Sequence, residues 1–262
     1  MDYCMYKTIL YIAILFVSVF SIPSLYAVDC PIGDLDGDCI VGMSDLIQVA
    51  DKWLYPGWIC PEPGMVSNWK LDETAGNDVP DLSDLHPGIT VGDPIWRPIS
   101  GKQSGALELD GVDDYVTIPG YTGISGSSPR TCAAWIQTTA TVTPILFWGD
   151  KTASGGTWEM RINTLGQLRV QVNGGGTNSA SAVNTGQWVH VAAVLPAGKS
   201  NTRDIQLFVN GALETVTPTA ATLTTGNLSN VRIGTNDVEY FKGLLDDVRI
   251  YNRALTAAEI GW

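Results

Sequence analysis

Charged side chains are scarce in this sequence, since Asp, Glu, Lys and Arg make up only 16% of its 262 residues. Basic side chains are the scarcer kind, with 15 Lys and Arg against 27 Asp and Glu, so the formal net charge is −12. A surface of that sign repels nucleic acid and anionic membranes, and we expect neither as a partner. The same charge suits calcium, neutral glycans or basic proteins.

Long apolar runs are missing after the first 27 residues, so no later segment is predicted to span a bilayer. The run ILYIAILFVSVF follows Lys7, and it is succeeded by a break at Pro23 and a small residue at Ala27. This order is typical of a signal peptide over residues 1–27, with an uncleaved N-terminal anchor as the alternative. The mature protein is therefore predicted to be secreted, with no membrane association after cleavage, although retention at the cell surface stays open.

An acidic loop, GDLDGDCIVGMSDL, follows at residues 33–46. Counting from Asp34, carboxylates fall at positions 1, 3, 5 and 12, and an apolar helical pattern begins near Ser44. Ca²⁺ takes several oxygen ligands, and a loop with this spacing can wrap it. The alternative is a solvated acidic turn without metal. The candidate calcium ligands are Asp34, Asp36, Asp38, the backbone carbonyl of Ile40, and Asp45.

This stretch resembles the calcium-binding half-repeat of a type I dockerin, a loop and single helix related to the EF-hand. It departs from that family at Cys39, which replaces the usual glycine, and at Gly42, which offers no side-chain oxygen. Dockerins carry two such repeats and this sequence has one. The resemblance implies Ca²⁺ as a cofactor of residues 28–62, a module that ends in a Pro- and Gly-rich linker. It also implies a cohesin-like scaffold as a partner, which the missing repeat argues against.

Four cysteines follow the signal peptide, and an oxidising compartment allows them to form disulfides in three pairings. We expect at least one bridge among the three that surround the acidic loop, but the connectivity stays open. The fourth alternates with Ala134 and Ile136, which favours a buried free thiol. The four residues are Cys30, Cys39, Cys60 and Cys132.

In residues 63–262 the apolar residues recur with a period of two. Segments such as GALELDG, GQLRVQVNGG and LLDDVRIYN alternate apolar and polar residues between Gly, Asn and Asp turns, while only 254–260 look helical. About a dozen such segments predict an all-β fold built as a two-sheet antiparallel sandwich or barrel. The small calcium loop–helix module would precede it.

Several of these segments carry a second resemblance. NWKLDETAG, GALELDGVDDYVTIP, QWVHVAAV, IQLFVNGAL and FKGLLDDVRIYNRALTAAEI occur in that order. Together they resemble a laminin G-like domain of the concanavalin A-like lectin and glucanase superfamily. The resemblance implies a jelly-roll sandwich over about 195 residues. It also implies recognition of a glycan, a polysaccharide or an extracellular protein.

An enzyme of that superfamily would most resemble a glucanase with a Glu-x-Asp-x-x-Glu strand. The string ELDGVD, from Glu108 to Asp113, approaches this pattern, but Asp113 is shorter than the expected acid and Gly111 interrupts the strand. His86 and His190 show no partner at a spacing that suits a triad or zinc. We therefore predict a protein that is not an enzyme, and keep a glucanase-like glycoside hydrolase as an alternative.

Two aspartates in this region share a strand face with apolar residues. Asp114 has the parity of Val116, and Asp246 has the parity of Val248. Each carboxylate is expected either to cap backbone amides or to bind metal, because an unpaired buried charge is costly. Calcium sites occur in many domains of the resembled family, and the candidate ligands for one here are Asp72, Asp114 and Asp246.

The nine tryptophans raise the question of sugar stacking. Trp69, Trp135 and Trp188 lie in strand alternation and are predicted to be core residues. Trp96 and Trp148 lie near predicted loop edges and are candidates for exposure. The sequence as a whole predicts a secreted, non-catalytic carbohydrate-binding protein, with a dockerin-type assembly component of a polysaccharide-degrading system as the alternative.

Overall fold

Short segments of alternating apolar and polar residues form the strands of a β-sandwich over residues 62–260, which are the residues that this computed structural model describes. The predicted signal peptide and the acidic loop lie outside that range. So do the five residues predicted to bind calcium there, Asp34, Asp36, Asp38, Ile40 and Asp45, and three of the cysteines, Cys30, Cys39 and Cys60.

Two antiparallel sheets make up the sandwich, which confirms the prediction of an all-β, two-sheet jelly roll. The eight-stranded sheet runs in the order β14 (Ala212–Leu213), β13 (Gln206–Val209), β12 (Val189–Leu195), β7 (Arg130–Gln137), β17 (Lys242–Tyr251), β5 (Ala106–Asp110) and β4 (Ile95–Arg97), with β1 (Met65–Trp69) paired to β17. The nine-stranded sheet runs in the order β15 (Val216–Thr219), β11 (Gly175–Ala182), β10 (Gln167–Val172), β9 (Thr157–Ile162), β8 (Thr143–Gly149), β16 (Ser229–Ile233), β6 (Tyr115–Thr117), β3 (Gly88–Val91) and β2 (Asp78–Val79).

Helical structure is limited in the described residues to a 3-10 turn, Thr202–Asp204, and a short helix α1, Ala257–Ile260. The helix α1 falls at the end of the predicted segment 254–260. Across residues 62–260, no helix combines the length and the apolar character that crossing a bilayer requires.

The core lies between the two sheets and takes the apolar residues of both. Trp69, Trp148 and Trp158 are each fully buried there. Cys132 is also fully buried as a free thiol, as predicted, and burial raises its pKa to about 12. A thiol with that pKa stays protonated and unreactive at neutral pH.

Two predictions about tryptophans are wrong. Trp148 is buried because its indole faces the core, where it lies 6.1 Å from the ring of Trp158, its register partner on the neighbouring strand β9. Trp135 has the opposite parity to Cys132, so it lies on the outer face of the eight-stranded sheet, where the Lys102 ammonium is 4.8 Å from its ring. Trp188 is likewise only half-buried.

The predicted parity of Asp246 is also wrong, because β17 contains a bulge. Asp247 has a φ of +50°, and the register with β7 shifts between Asp246 and Arg249. The core therefore takes Leu245 before the bulge and Val248 after it. Asp246 lies on the outer face of the sheet, yet it is only 1% exposed.

The rest of this outer face is closed by the C-terminal segment. Leu255 and Ile260 pack against Phe208 and Tyr251, forming a small apolar cluster of their own. His190 lies on the same face, buried, with its ring 5.1 Å from that of Trp135. The outer face of the eight-stranded sheet is thus largely covered.

Burial makes His190 a source of pH-dependent stability. It lowers the pKa of His190 to about 4, and the positive charge of Arg249 acts in the same direction. A base with a depressed pKa stabilises the folded state above its unfolded pKa of roughly 6.5, and this contribution is lost as the pH falls toward 4. We expect the melting-temperature difference between the wild type and His190→Gln to shrink as the pH is lowered from 7 to 4.

Differential scanning fluorimetry of both proteins across that range checks this expectation. Both proteins contain the other groups that titrate nearby, Asp246 among them. The difference between the two melting temperatures therefore reports on His190. Trp135→Phe removes part of the neighbouring ring without removing a titratable group, so its melting-temperature difference should stay constant with pH. A constant difference for His190→Gln would contradict the argument.

Candidate functional site

The outer face of the nine-stranded sheet carries polar side chains in two transverse rows that follow from strand register. In the first row, Phe147 on β8 is opposite Glu159 on β9, and Glu159 is opposite Gln171 on β10. In the second row, Arg161 on β9 is opposite Arg169 on β10, which is opposite Asn178 on β11. Because alternate residues of a strand share a face, these residues all point away from the core.

Part of this outer face is buried although it is charged. Glu159 and Arg161 are 4% and 7% exposed, and Arg161 Nη1 donates to Glu159 Oε1 at 2.9 Å. The loop after β16 covers them: Asn236 Nδ2 donates to the same Oε1 at 2.8 Å, and Glu239 Oε2 lies 2.7 Å from Arg161 Nη2. Burial raises the pKa of Glu159, against the opposing effects of Arg161 and Asn236.

A depression of about 300 Å³ opens beside this network. Its lining contains two guanidinium groups and three side-chain amides, and no carboxylate. The lining residues are Val142, Arg161, Asn163, Thr164, Arg169, Gln171 and Asn178.

Neighbouring groups hold Arg169 at this depression. Its Nε donates to Gln171 Oε1 at 3.1 Å and its Nη1 donates to Asn178 Oδ1 at 2.8 Å. Gly176 makes room for the guanidinium, because a Cβ at that position would lie 2.7 Å from Arg169 Nη2. An arginine flanked by amides presents fixed hydrogen-bond donors and acceptors, which suits hydroxyl groups and oxyanions.

Sequence reasoning did not single out this group of residues. The signal was the pairing of charged alternate residues in two successive segments, Glu159 with Arg161 in TWEMRIN and Arg169 with Gln171 in GQLRVQVNGG. Such alternation is expected of any solvated sheet face. The distinguishing feature, burial by Asn236 and Glu239, depends on a loop more than 60 residues later and cannot be read from the two segments alone.

Two of the aspartates predicted to bind metal hold the same loop, residues 101–105. Asp72 Oδ1 accepts the backbone N–H of Gly105 at 2.7 Å, and Asp246 Oδ2 accepts that of Gln103 at 2.9 Å. The other oxygen of Asp246 is buried and has no hydrogen-bond partner among the described residues. Burial raises the pKa of Asp246 to about 7, with Asp247 and Asp72 adding to the effect.

A further carboxylate, Glu73, follows Asp72 in the sequence. Glu73 has a buried Oε2 that lacks a partner within residues 62–260, and burial together with Asp72 raises its pKa. Asp247, next to Asp246, is by contrast neutralised by Arg249 at 2.6 Å and Lys70 at 3.1 Å. Oxygens left unpaired and buried fit a hard cation such as Ca²⁺.

Asp114 does not join Asp72 and Asp246. It is buried, and it accepts backbone N–H groups from Asp93 at 2.8 Å and from Asp110 at 3.1 Å, so both oxygens are occupied. Its carboxylate neighbours are Asp110 and Asp113, with ligand atoms within 4.8 Å of one another. Asp114 thus caps backbone amides, and its assignment as a metal ligand stays a prediction.

The glucanase-like string does not form one strand. β5 ends at Asp110, and Gly111 adopts a φ of +83° in the turn that follows. Glu108 is paired with Arg97 at 2.5 Å, and Asp113 lies exposed in the turn. The two carboxylates thus have different surroundings and different partners.

Comparison with known proteins gives one family match. The Laminin_G_3 model, described as the concanavalin A-like lectin/glucanases superfamily, matches residues 110–261. No curated protein matches the chain.

Solved structures share the fold at low sequence identity. Domain 4 of AbnA, a GH43 extracellular arabinanase from Geobacillus stearothermophilus solved with arabinotriose, has a TM-score of 0.58 and 20% identity, covering 75% of this chain and 96% of that domain. Trypanosoma rangeli sialidase has a TM-score of 0.54 and 14% identity, covering 84% of this chain but 37% of the sialidase. The botulinum neurotoxin type G receptor binding domain has a TM-score of 0.51 and 14% identity, covering 76% of this chain and 50% of that one. These likenesses concern the fold.

The buried pair at the centre of the outer face should be strongly coupled. Arg161→Met leaves the Glu159 carboxylate buried without its cation, which we expect to cost about 3–5 kcal/mol of unfolding free energy. The double variant Glu159→Gln/Arg161→Met should recover most of that loss, because no uncompensated charge remains. Urea denaturation of the wild type, both single variants and the double variant measures the coupling.

Arg97→Gln is the matched control, because it breaks the Arg97–Glu108 pair whose side chains are 44% and 37% exposed. Exposed pairs contribute at most about 1 kcal/mol. Equal losses from Arg161→Met and Arg97→Gln, or additive effects in the double variant, would show that the network is not coupled.

Proposed function

Because the chain belongs to the Laminin_G_3 family of the concanavalin A-like lectin/glucanases superfamily, we propose that it is a secreted, non-catalytic carbohydrate-binding protein. The observation that carries the proposal is the outer face of the nine-stranded sheet. There, amide and guanidinium groups line a depression of about 300 Å³ at the edge of a rigid sheet. Secretion rests on the predicted signal peptide, residues 1–27.

The polar groups of this face suit saccharide hydroxyls. A saccharide hydroxyl both donates and accepts, and the amide N–H groups of Gln171 can donate to it beside the arginines, while Gln171 Oε1 accepts from Arg169. The buried Glu159–Arg161 pair fixes β9 beneath them, so the polar groups do not need to be ordered when a ligand binds. Preorganisation of this kind lowers the entropic cost of binding.

A related fold offers support for a saccharide ligand. Domain 4 of the Geobacillus stearothermophilus arabinanase was solved with arabinotriose, and this chain covers almost all of that domain. That domain is one part of an extracellular arabinanase, which is consistent with a binding role for the fold. At 20% identity the likeness does not transfer the ligand itself, so the class of saccharide is left to experiment.

Calcium is the second part of the proposal, at two places. In the sandwich, Asp246, Asp72 and Glu73 would hold Ca²⁺, since two of their buried oxygens lack partners within the described residues. A bound cation would neutralise these carboxylates and order loop 101–105, which Asp72 and Asp246 already hold. In the N-terminal segment, the loop beginning at Asp34 would bind Ca²⁺ as in a dockerin half-repeat.

A screen of immobilised oligosaccharides tests the carbohydrate-binding proposal. We expect the wild type to bind at least one class, and the double variant Gln171→Ala/Asn178→Ala to bind it about tenfold more weakly through the loss of direct hydrogen bonds. Gln206→Ala is the matched control, because Gln206 is exposed on β13 of the other sheet. Absence of binding to every saccharide would contradict the proposal, and unchanged binding by the double variant would remove this face from it.

Thermal unfolding with Ca²⁺ tests the cation sites. A ligand present at roughly 100 times its dissociation constant stabilises the folded state by about 2.7 kcal/mol, so CaCl₂ should raise the melting temperature of the sandwich above its value in chelator. Asp246→Asn should abolish the rise, whereas Asp36→Asn, in the N-terminal loop, should preserve it. A rise that survives Asp246→Asn would place the cation elsewhere.

A further inference from the structure

Arg169 differs from its neighbour Arg161 in having no anionic partner. Its guanidinium donates hydrogen bonds to Gln171 and Asn178, both neutral amides. Within residues 62–260 no carboxylate lies within 4.0 Å of its guanidinium. Arg161 is instead neutralised by Glu159 at 2.9 Å and by Glu239 at 2.7 Å.

The positive charge of Arg169 is held in an unfavourable place. Its side chain is half-buried, and burial together with the nearby positive charge of Arg161 lowers its pKa, against an opposing effect of the Glu159 carboxylate. Desolvation of a cation next to a second cation destabilises the folded protein unless an anion approaches. The site is therefore built at a cost in stability that a bound anion would offset.

The surroundings of the depression favour an anion as well. The depression contains two guanidinium groups and no acidic side chain, in a chain whose formal net charge is −12. Because Glu159 and Glu239 neutralise Arg161, the positive charge that remains to attract an anion is that of Arg169. Its volume of about 300 Å³ lies at the small end of ligand pockets, which suits one sugar residue.

We infer that this depression binds the anionic group of an acidic saccharide, with the Arg169 guanidinium as the main contact. The inference rests on the proposed carbohydrate-binding function and specifies its ligand class. A guanidinium N–H donates charge-assisted hydrogen bonds to the oxyanion of either a uronic acid carboxylate or a sulfate ester.

The neighbouring groups have distinct parts in this site. Gln171 and Asn178 occupy Nε and Nη1 of Arg169, so they fix the plane of the guanidinium and leave Nη2 for the ligand. Nη2 lies over Gly176, where a side chain would obstruct it. The Glu159–Arg161 pair sets the adjacent wall, and the amide of Asn163 lies at the rim of the same depression.

Binding measurements on the full chain with matched saccharides test the inference. The probes are trigalacturonate, its methyl ester, a sulfated galactan oligosaccharide and neutral galactotriose. Isothermal titration calorimetry should show tighter binding of trigalacturonate or the sulfated probe than of the two neutral probes. That preference should fall as NaCl is raised, because salt screens the charge contribution.

Variants at the arginine sharpen the test. Arg169→Gln should weaken binding of the anionic probe by on the order of 10- to 100-fold. Arg169→Lys keeps the positive charge but loses the planar guanidinium, so it should recover only part of the lost affinity. Arg97→Gln removes the same charge from the other sheet and should leave affinity for that probe within about twofold. Melting temperatures of all three variants verify that each is folded.

The outcomes separate the inference from the function beneath it. Dependence on Arg169 for trigalacturonate or for the sulfated probe supports the inference and identifies the oxyanion. Binding of galactotriose and the methyl ester with equal or higher affinity than the anionic probes overturns the inference and leaves carbohydrate binding intact. Binding of none of the four, together with a negative screen of oligosaccharides, overturns both.

Discussion

The rest of the sandwich depends on one buried cation. Arg130, at the start of β7, is fully buried and has no acidic partner within the described residues. Its guanidinium donates to the carbonyls of Ile124 at 2.7 Å and Gly126 at 2.8 Å, and it lies 5.1 Å from the ring of Trp158. Burial lowers its pKa to about 10, which still leaves it charged at neutral pH. A charged group in a core persists only if every donor is satisfied, so Arg130 fixes the loop before β7 and joins the eight-stranded sheet to the tryptophans of the other.

The alternation of residues predicted most of the fold, and it failed where the backbone departs from a regular strand. Cys132 was assigned correctly because β7 keeps an unbroken period of two. Asp246 was assigned to the wrong face because Asp247 adopts a positive φ and inserts a bulge, a conformation that LLDDVRIYN does not reveal. The parity of Trp135 follows from Cys132, three residues earlier on the same strand, which places the indole on the outer face despite its apolar character. The candidate site escaped prediction for a different reason: the burial of Glu159 is set by a loop distant in sequence.

The two outer faces of the sandwich have different physical roles. The outer face of the eight-stranded sheet is covered by other parts of the chain. Leu255 and Ile260 pack on its apolar side chains, and loop 101–105 lies over Asp246. The outer face of the nine-stranded sheet keeps a polar depression. One of its two arginines, Arg169, has no carboxylate within 4.0 Å among residues 62–260. The chain itself thus covers much of one outer face of the sandwich, while the other outer face keeps an open depression.

The buried thiol of Cys132 has a consequence for the order of events during folding. In an oxidising compartment, an accessible thiol attacks disulfides elsewhere in the chain, and its rate depends on both ionisation and access. Once the two sheets have closed around Cys132 it has neither, because burial holds its pKa at about 12. Closure of the sandwich therefore removes the Cys132 thiol from thiol–disulfide exchange.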